Sequence, residues 1–327
     1  MTADRSKGDI SIVIVSWNTR DLLRACLKSV FANSARLRLQ VFVVDNVSTD
    51  GSAEMVRREF AEVCVLENST NVGFARANNQ ALPNCNSELV LLLNPDTLII
   101  GPALQDLVDF IRGHPDCGAV GPKLIHPRAS LRVLGCGNQP TLWRVVTHYS
   151  FLSSLFPKLP RFEGIHLFVG MHDRAVREVE WISGACLLVR RSALMDAGGL
   201  CEDWFMYAED WELCARLRKN GWKLHHIPSA VVEHHLSAST EQNELASMMP
   251  ITASRSYFIK LNKPSAIELF TFDAVRSIGL AVRALGYFVR GLFRKEPHRK
   301  LWFLRARTFR EFARAALPKF SGLRNYS

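Results

Sequence analysis

Five consecutive apolar residues, Leu89–Leu93, form the clearest hydrophobic run in the chain. An unbroken apolar run of this length is typical of a strand buried on both faces, as in a parallel sheet covered by helices. The strand is expected to end at the following Asn94-Pro95-Asp96, because proline has no backbone N–H to donate. An amide and a carboxylate are thus left at the carboxyl end of the strand, where open α/β sheets bind ligands.

Strand and helix patterns alternate over the first hundred residues and recur up to residue 240. Further apolar runs predict strands at 10–15, 39–44, 63–67, 118–124, 179–189, 222–227 and 230–233. Apolar residues at helical spacing predict helices at 20–31, 51–60, 73–82, 101–117 and 208–220. Strands and helices that alternate with short connections predict an α/β domain over residues 1–265, with a Rossmann-like, mostly parallel central sheet flanked by helices.

Residues 125–178 interrupt this alternation. The stretch has no clear periodicity and contains four prolines and several aromatic side chains. A segment this long without periodicity is usually a functional loop or a lid. We therefore predict an irregular loop over residues 125–178.

Residues 266–327 form a basic tail that opens with a predicted helix at 266–293. Arg276, Arg283 and Arg290 recur every seven residues, and branched apolar residues recur at the same interval, so the two sets line different sides of the helix. Residues 274–327 hold thirteen Lys/Arg against two acids, a net charge of +11 in a chain of net +10. The tail could be a solvated helical pair, a nucleic-acid arm or a peripheral helix on an anionic membrane. No nucleic-acid recognition motif accompanies the charge, and the apolar stripe favours the membrane.

Composition and cysteine content indicate the general class of protein and its cellular compartment. The chain of 327 residues is 48% hydrophobic and 22% charged, which is ordinary for a folded protein. Its eight cysteines are scattered without metal-binding spacing, which indicates reduced thiols in a reducing compartment. Because neither a secretory leader nor a long apolar span is apparent, we expect a cytoplasmic protein.

Two aspartates at predicted strand ends are candidates for ligand binding. Asp96 can hold a divalent cation against a diphosphate, since hard cations prefer oxygen ligands; alternatively, Asn-Pro-Asp only closes the strand in a turn. Asp45 can accept hydrogen bonds from a ribose or a base N–H; alternatively, it belongs to a turn that caps the next helix. Gly73, at the start of the third helix, permits close backbone approach near N–H groups that favour anions.

A second group of candidates lies in the later part of the domain. Glu209 and Asp210 are adjacent at the start of a predicted helix, so only one of them can face a given pocket. Asp210 suits a general base that accepts a proton from an acceptor hydroxyl, whereas Glu209 also fits a helix-dipole role. His234 follows a strand and can ligate a metal together with Asp96, although a histidine there is also commonly structural.

Taken in order, these motifs over residues 10–240 resemble the family 2 glycosyltransferases of GT-A fold, and most closely the rhamnosyltransferase-like bacterial enzymes. The motifs that carry the resemblance are Asp45-Asn46-x-Ser48-x-Asp50-Gly51-Ser52, Asn71-x-Gly73-Phe74-Ala75, Asn94-Pro95-Asp96, Trp181-x-Ser183-Gly184-Ala185, Glu209-Asp210 and His234-His235. Two positions depart from the family pattern. Asn94 replaces the first acid of the usual Asp-x-Asp, and Gly199-Leu200-Cys201-Glu202 replaces Gly-Gly-Phe-Asp-Glu.

The resemblance implies a nucleotide-binding half at 10–100, an acceptor-side loop at 125–178 and an acceptor and catalytic half at 179–240. It implies that Asp96, and plausibly His234, hold Mg²⁺ or Mn²⁺ on the donor diphosphate, and that Asp210 is the catalytic base. The other donor-binding residues it implies are Ser16, Trp17, Asp45, Asn71, Gly73 and Asn94. Those it implies on the acceptor side are Trp181, Gly184 and Glu209.

The activity implied is an inverting transfer of a sugar, with L-rhamnose from dTDP-rhamnose as the first expectation. The acceptor is expected to be a hydroxyl of a cell-surface glycan or of a polyprenyl-diphosphate-linked lipid, reached from the inner face of the membrane. The alternatives are a transferase for another UDP- or GDP-sugar and a non-catalytic nucleotide-sugar-binding protein. A nucleotidyltransferase is disfavoured, because the turn after the first strand, Trp17-Asn18-Thr19-Arg20, is not a glycine-rich phosphate loop.

Overall fold

The computed structural model describes residues 8–34, 36–126, 133–235, 244–296 and 298–318. These residues divide into two compact units. The first unit extends to Gly137 and resumes over His166–Glu244. The second combines Asn138–Ile165 with the residues from Leu245 onward.

A mixed sheet, nine-stranded over the described residues, forms the centre of the first unit. Its strands are β1 (Ile10–Ser16), β2 (Leu39–Asp45), β3 (Val63–Glu67), β4 (Leu89–Leu93), β5 (Thr97–Ile100), β6 (Cys117–Ile125), β9 (Arg177–Glu178), β11 (Cys186–Arg190) and β12 (Lys223–His234). A smaller sheet contains β7 (Val133–Gly137), β8 (His166–Phe168) and β10 (Trp181–Ile182). The order in the main sheet is β3-β2-β1-β4-β11-β6-β12-β5, with β9 beside β12.

The sheet has a parallel half and a mixed half. Strands β3, β2, β1 and β4 run parallel, whereas β11 is antiparallel to both of its neighbours. Three residues separate β4 from β5, too few for a parallel crossover, and β5 instead pairs antiparallel with β12 at the far edge. Pro228 lies within β12, where the pairing to β6 shifts register. The predicted Rossmann-like α/β architecture is confirmed.

Helices cover both faces of this sheet. They are α1 (Arg20–Ala32), α2 (Ser52–Glu59), α3 (Phe74–Ala81), α4 (Ala103–Gly113), α7 (Arg191–Asp196) and α8 (Glu209–Lys219). Alternate residues of β1 enter different clusters: Ile10, Ile12 and Ile14 join one core, and Val13 and Val15 join the other. Burial on both faces explains the unbroken apolar runs of the sequence.

Residues 125–178 contain more regular structure than the sequence predicts. Besides β7, β8 and β9, this stretch holds two short helices, α5 (Leu142–Tyr149) and α6 (Leu152–Leu155). Thr141 caps α5, because its side chain accepts a hydrogen bond from the backbone N–H of Arg144. The prediction of an irregular loop was wrong for these residues, because elements of two to eight residues are too short to show a periodicity. Residues 127–132 of the stretch lie outside the described part.

The second unit is helical and joins two distant parts of the chain. Its long helices are α9 (Glu244–Asn262), α10 (Ala266–Leu292) and α11 (His298–Ala315). The Tyr257 hydroxyl donates to Gln139 Oε1 at 2.6 Å, and the Asn262 side chain donates to the carbonyl of Pro140 at 3.0 Å. Residues 138–165 are therefore part of the packing of α9 and α10. None of the described helices combines the length and the apolar composition that a membrane crossing requires.

The predicted helix at 266–293 is observed as α10, which starts with a capping box formed by Ser265 and Glu268. The orientation of its arginines could not be read from the periodicity. Arg276 is 1% exposed and donates to the carbonyl of Ile251 and to Ser254 Oγ. Arg283 is largely buried over the rings of Tyr149 and Phe151. The predicted domain boundary at residue 265 stays a prediction.

Candidate active site

The carboxyl edge of the main sheet brings together chain segments that are more than a hundred residues apart. The backbone N–H of Asn94 donates to the carbonyl of Ala185 at 2.9 Å. The neighbouring N–H of Gly184 donates to Asp210 Oδ2 at 3.0 Å. Two consecutive residues, Gly184 and Ala185, thus connect the start of α8 to the Asn-Pro-Asp turn after β4.

Asp45 and Ser16 end adjacent parallel strands and are register partners. One carboxylate oxygen of Asp45, Oδ1, accepts the backbone N–H of Ser48 at 2.8 Å. The other, Oδ2, is buried and has no hydrogen-bond partner among the residues that the structure describes, and burial raises the pKa of this carboxyl group. A buried acceptor without a partner suits a ligand N–H or hydroxyl group. Trp17 lies half-buried beside this position.

The N-cap position of α2 is Gly51, and the side chain that bonds the first residue of this helix is that of Asp50. Asp50 Oδ1 accepts both the backbone N–H and the hydroxyl of Ser52, the first residue of α2. Asp50 Oδ2 accepts the backbone N–H of Arg20 at 2.8 Å. Asp50 thus bonds the start of α2, whereas Asp45 bonds Ser48 in the turn before it.

Asn71 and Gly73 shape the turn into α3. Asn71 Oδ1 accepts the N–H of Gly73, whose φ of +84° is the left-handed conformation that glycine adopts without strain. A Cβ at Gly73 would lie 2.5 Å from the carbonyl oxygen of Phe205. That same carbonyl accepts the N–H of Phe74 at 2.8 Å. The turn thus packs against the segment leading into α8, and at least one N–H of the α3 terminus is already used.

Asp96 and His234 meet at the end of β12. Asp96 Oδ1 lies 3.2 Å from His234 Nε2, and the carbonyl of Asp96 accepts the N–H of His235 at 2.9 Å. The pairing of β5 with β12 places His234 opposite Thr97 and so beside Asp96. His126, which the sequence analysis did not identify, is close enough to bond the carbonyl of His234 through Nδ1, at 3.1 Å.

This pair fits a divalent cation that is completed by other ligands. No cluster of three or more His, Cys, Asp or Glu side chains suited to a metal occurs within residues 8–34, 36–126, 133–235, 244–296 and 298–318. Asp96 and His234 supply one oxygen and one nitrogen donor, which leaves coordination positions for diphosphate oxygens. A mixed oxygen and imidazole set suits Mn²⁺ better than Mg²⁺, which prefers oxygen ligands.

Glu209 is buried and Asp210 is half-buried, and the two carboxyl groups receive different hydrogen bonds. Asp210 accepts the N–H of Gly184 through Oδ2 and that of Trp211 through Oδ1, and burial still raises its pKa. Within the described part of the chain Glu209 Oε2 has no hydrogen-bond partner, and burial together with the Asp210 charge raises the pKa of Glu209 to about 8. Two adjacent carboxyl groups disfavour a second negative charge, and the two N–H groups that Asp210 accepts favour the charge on Asp210.

The turn before α8 is strained. Tyr207 and Ala208 have φ values of +69° and +77°, the left-handed region that costs free energy for residues with a Cβ. Two such residues in succession change the direction of the chain, so that α8 begins with Glu209 and Asp210. Strain of this kind is concentrated at functional sites, where the surrounding structure maintains it.

The predicted acceptor-side residues have mixed environments. Trp181 is 4% exposed and packs against the rings of Trp211 and His166, each with centroids 5.2 Å away. Gly184 contacts Asp210 directly, as described above. Glu202, at the departure from the family pattern, pairs with Arg76 of α3 at 2.9 Å and accepts a hydrogen bond from Asn79. Glu202 therefore ties α3 to the segment before α8.

A family model described as glycosyltransferase like family 2 matches residues 7–248. The chain belongs to this family. The match covers the segments that build the site, from β1 to the end of β12. The chain is a glycosyltransferase, and the resemblance drawn from its motifs is confirmed.

Curated relatives of this glycosyltransferase include rhamnosyltransferases. The N-acetylglucosaminyl-diphospho-decaprenol L-rhamnosyltransferase of Mycobacterium tuberculosis is 29% identical, over 91% of the chain and 98% of its own length. Rhamnosyltransferase WbbL of Escherichia coli is 23% identical, over 69% of the chain and 83% of its own length. The similarity to the mycobacterial protein thus extends beyond the family match, into the helical unit.

Solved structures support the GT-A fold. The mannosyltransferase PcManGT from Pyrobaculum calidifontis, in complex with GDP-Man and Mn²⁺, aligns with a TM-score of 0.58 at 18% identity, over 95% of this chain and 86% of that one. Residues 1–349 of TarS from S. aureus, in complex with UDP-GlcNAc, align with a TM-score of 0.53 at 15% identity, over 94% and 84%. At these identities the likeness establishes the fold alone.

Proposed function

We propose that this glycosyltransferase moves L-rhamnose from dTDP-L-rhamnose to a hydroxyl group of a lipid-linked glycan precursor, with inversion at the anomeric carbon. The observation that carries the proposal is the connection of Asp210 to the Asn-Pro-Asp turn through Gly184 and Ala185. It brings a candidate base and a candidate diphosphate site to one edge of the sheet. The names of the mycobacterial and Escherichia coli relatives support rhamnose as the sugar.

In this proposal each residue acts on one part of the donor or acceptor. The free oxygen of Asp45 accepts a hydrogen bond from the nucleoside, with Ser16 and Trp17 lining the same end of the cleft. Asp96 and His234 hold the divalent cation, which when bound neutralises charge on the leaving diphosphate. Asn94 and the Asn71–Gly73 turn border the diphosphate region.

Asp210 supplies the proton transfer. Its carboxylate accepts the proton of the acceptor hydroxyl, whose oxygen forms a bond to the anomeric carbon as the bond to the nucleotide breaks. A single displacement inverts the anomeric centre, so a β-L-rhamnosyl donor yields an α-L-rhamnoside. Glu209, Gly184 and Trp181 lie on the acceptor side, and Glu209 in its protonated form leaves Asp210 as the base.

A lipid-linked acceptor places the enzyme at a membrane. We propose that the protein is cytoplasmic and associates peripherally with the inner face of the membrane. In this proposal residues 266–327 contact the anionic surface of the membrane. The diphospho-decaprenol in the name of the mycobacterial relative supports a polyprenyl-diphosphate acceptor. The net charge of residues 274–327 supports the anionic surface.

A UDP- or GDP-sugar transferase is the second candidate, because the structural neighbours were solved with GDP-Man and UDP-GlcNAc. A donor screen by thermal unfolding, with and without Mn²⁺, separates the two. A ligand whose concentration is about a hundred times its dissociation constant raises the free energy of unfolding by about 2.7 kcal/mol. This is enough to raise the melting temperature by several degrees. We expect this rise with dTDP-L-rhamnose and Mn²⁺. A rise with GDP-mannose or UDP-GlcNAc instead would contradict the choice of donor.

The variant that tests the donor site in this screen is Asp45→Asn, which keeps the shape of the side chain but changes its hydrogen bonding. We expect the variant to lose most of the donor-induced rise, while Asp109→Asn, a change at an exposed position of α4, keeps it. No rise with any nucleotide sugar in the unmodified chain would contradict donor binding altogether.

A further inference from the structure

Helix α10 carries a row of exposed apolar side chains along one side. Ile278, Val282, Leu285, Val289 and Leu292 follow one another at intervals of four and three residues, so they share one face of the helix. Their exposed fractions run from 42% to 64%. At 1.5 Å per residue the row is about 21 Å long. Contiguous exposed apolar surface of this extent marks an interaction site.

Contacts on the opposite face fix the rotation of α10 and so keep the row outward. Arg276 is buried against α9, where it donates to the carbonyl of Ile251 and to Ser254 Oγ. Ser277 Oγ donates to the carbonyl of Ala313 in α11 at 2.8 Å. Gly279 lies so close to Tyr149 that a Cβ would come within 2.4 Å of its carbonyl oxygen. The apolar row cannot turn inward without breaking these contacts.

Exposed cations follow directly at the carboxyl end of the row. Arg290, Arg294, Lys295, Arg299 and Lys300 are all exposed, and Glu296 is the single acid between positions 290 and 300. An apolar face bordered by Lys and Arg is the composition of helices that lie in the interface of an anionic bilayer. Long basic side chains can reach lipid headgroups while their stems cover apolar surface.

We propose that α10 binds an anionic bilayer with this row inserted at the headgroup boundary and with the cations after position 289 on the headgroups. The inference rests on the proposed membrane location and names the surface that makes the contact. It also changes which arginines matter: Arg276 and Arg283, which share the heptad spacing with Arg290, are held inward and do not reach lipid. The apolar row, rather than an arginine stripe, supplies most of the contact.

A second copy of the chain is a less suitable occupant of this face. Packing two such rows together in parallel would bring the cations at their ends into one interface, where like charges repel. An anionic surface meets the same cations with opposite charge. The charge distribution therefore favours lipid over self-association.

The test is flotation of the full chain with anionic vesicles, made of phosphatidylcholine and phosphatidylglycerol at a ratio of about 3:1. Vesicles of phosphatidylcholine alone are the comparison. We expect binding to the anionic vesicles. The variant Leu285→Gln with Val289→Gln is expected to reduce binding at least about tenfold, since two buried apolar contacts are lost. Leu155→Gln, at an exposed leucine of α6, is the matched control and should bind as the unmodified chain does.

Two further readouts make the outcome decisive. Thermal unfolding with dTDP-L-rhamnose and Mn²⁺ should be the same for all three proteins, so failure of the donor proposal and failure of the membrane proposal are seen separately. Sedimentation velocity without vesicles should show monomers. Unchanged vesicle binding of the double variant, or a dimer that it abolishes, would overturn the proposal.

Discussion

Glu209 and Asp210 are adjacent in the sequence, yet the protein treats their carboxyl groups differently. Asp210 accepts hydrogen bonds from two backbone N–H groups, which favour its charged form, whereas Glu209 Oε2 accepts none from the residues described by the structure. Both are desolvated, and the burial that raises both pKa values is offset by more backbone N–H groups at Asp210 than at Glu209. The different roles proposed for Asp210 and Glu209 at the start of α8 follow from this difference in hydrogen bonding rather than from the two residue types.

The raised pKa of Glu209 predicts a pH-dependent stability. Below the ordinary value of 4.5 the group is protonated in both the folded and the unfolded chain. Between 4.5 and about 8 only the unfolded chain ionises, so stability falls as pH rises, by up to about 1.4 kcal/mol per unit. Glu209→Gln removes this loss, because the amide is neutral throughout. We expect its melting temperature to fall less between pH 5 and pH 8.

The control for this measurement is Glu54→Gln, at an exposed position of α2. It should keep the pH trend of the unmodified chain. An identical trend in Glu209→Gln would show that Glu209 is ionised in the folded protein at neutral pH and would contradict its assigned state.

At the scale of elements, the pairing of β5 with β12 brings together the two residues proposed to hold the cation, Asp96 and His234. The register places His234 opposite Thr97, one residue beyond Asp96, and so aligns an imidazole with a carboxylate from another part of the chain. His234→Ala should raise the Mn²⁺ concentration needed for half of the donor-induced stabilisation by about tenfold or more, as is usual when a metal site is weakened. The measurement is a Mn²⁺ titration followed by thermal unfolding.

His225→Ala is the matched control, since His225 lies on the same strand but packs against Phe110. It should leave the Mn²⁺ requirement unchanged. Equal Mn²⁺ requirements for the unmodified chain and His234→Ala would remove His234 from the site.

The elements that the sequence predicts well are those buried on both faces. β1, β2 and β4 match the predicted ranges to within one residue, because continuous apolar runs are required there. The edge strand β3 also matches its predicted range, although it is buried only in part. The predicted strand at 179–189 is instead divided into β10 and β11. The break at 183–185 is the turn that contacts Asp210 and Asn94, a tertiary requirement that no local pattern encodes. Helix α9 was missed, since Pro250 lies within it.

The candidate site could be located because strand ends of an α/β sheet converge, and Asp45, Asp96 and Asp210 each follow or adjoin a recognisable motif. Their roles stay predictions. His126 could not be identified, because its contact with His234 depends on neighbouring strands rather than on spacing in the sequence. Nor could the seven-residue period of α10 show which side faces the protein, since arginine and apolar rows share that period.

At the scale of the whole molecule, the second unit depends on close packing between residues far apart in the chain. Gly279 and Gly286 are both inside α10, but a Cβ would clash with Tyr149 only at position 279 and would meet nothing within 4 Å at 286. Gly279→Ala should lower the free energy of unfolding by about 1–3 kcal/mol through overpacking. Gly286→Ala should raise it by about 0.5–1 kcal/mol through helix propensity.

Urea unfolding of the two alanine variants beside the unmodified chain measures both effects. Opposite signs would confirm that α5 and α10 pack as one unit. A stabilising effect at both positions would mean that α10 does not lie against Tyr149 in solution.

The central claim is that Asp210 is the base of a site whose donor is held by separate residues. The most direct measurement compares Asp210→Asn with Asp109→Asn for dTDP-L-rhamnose binding and for transfer to a polyprenyl-diphosphate-linked acceptor. We predict that Asp210→Asn keeps donor binding and loses transfer by about 10²–10⁴-fold, the usual contribution of a general base, while Asp109→Asn keeps both. Transfer by Asp210→Asn at the unmodified rate would contradict the claim.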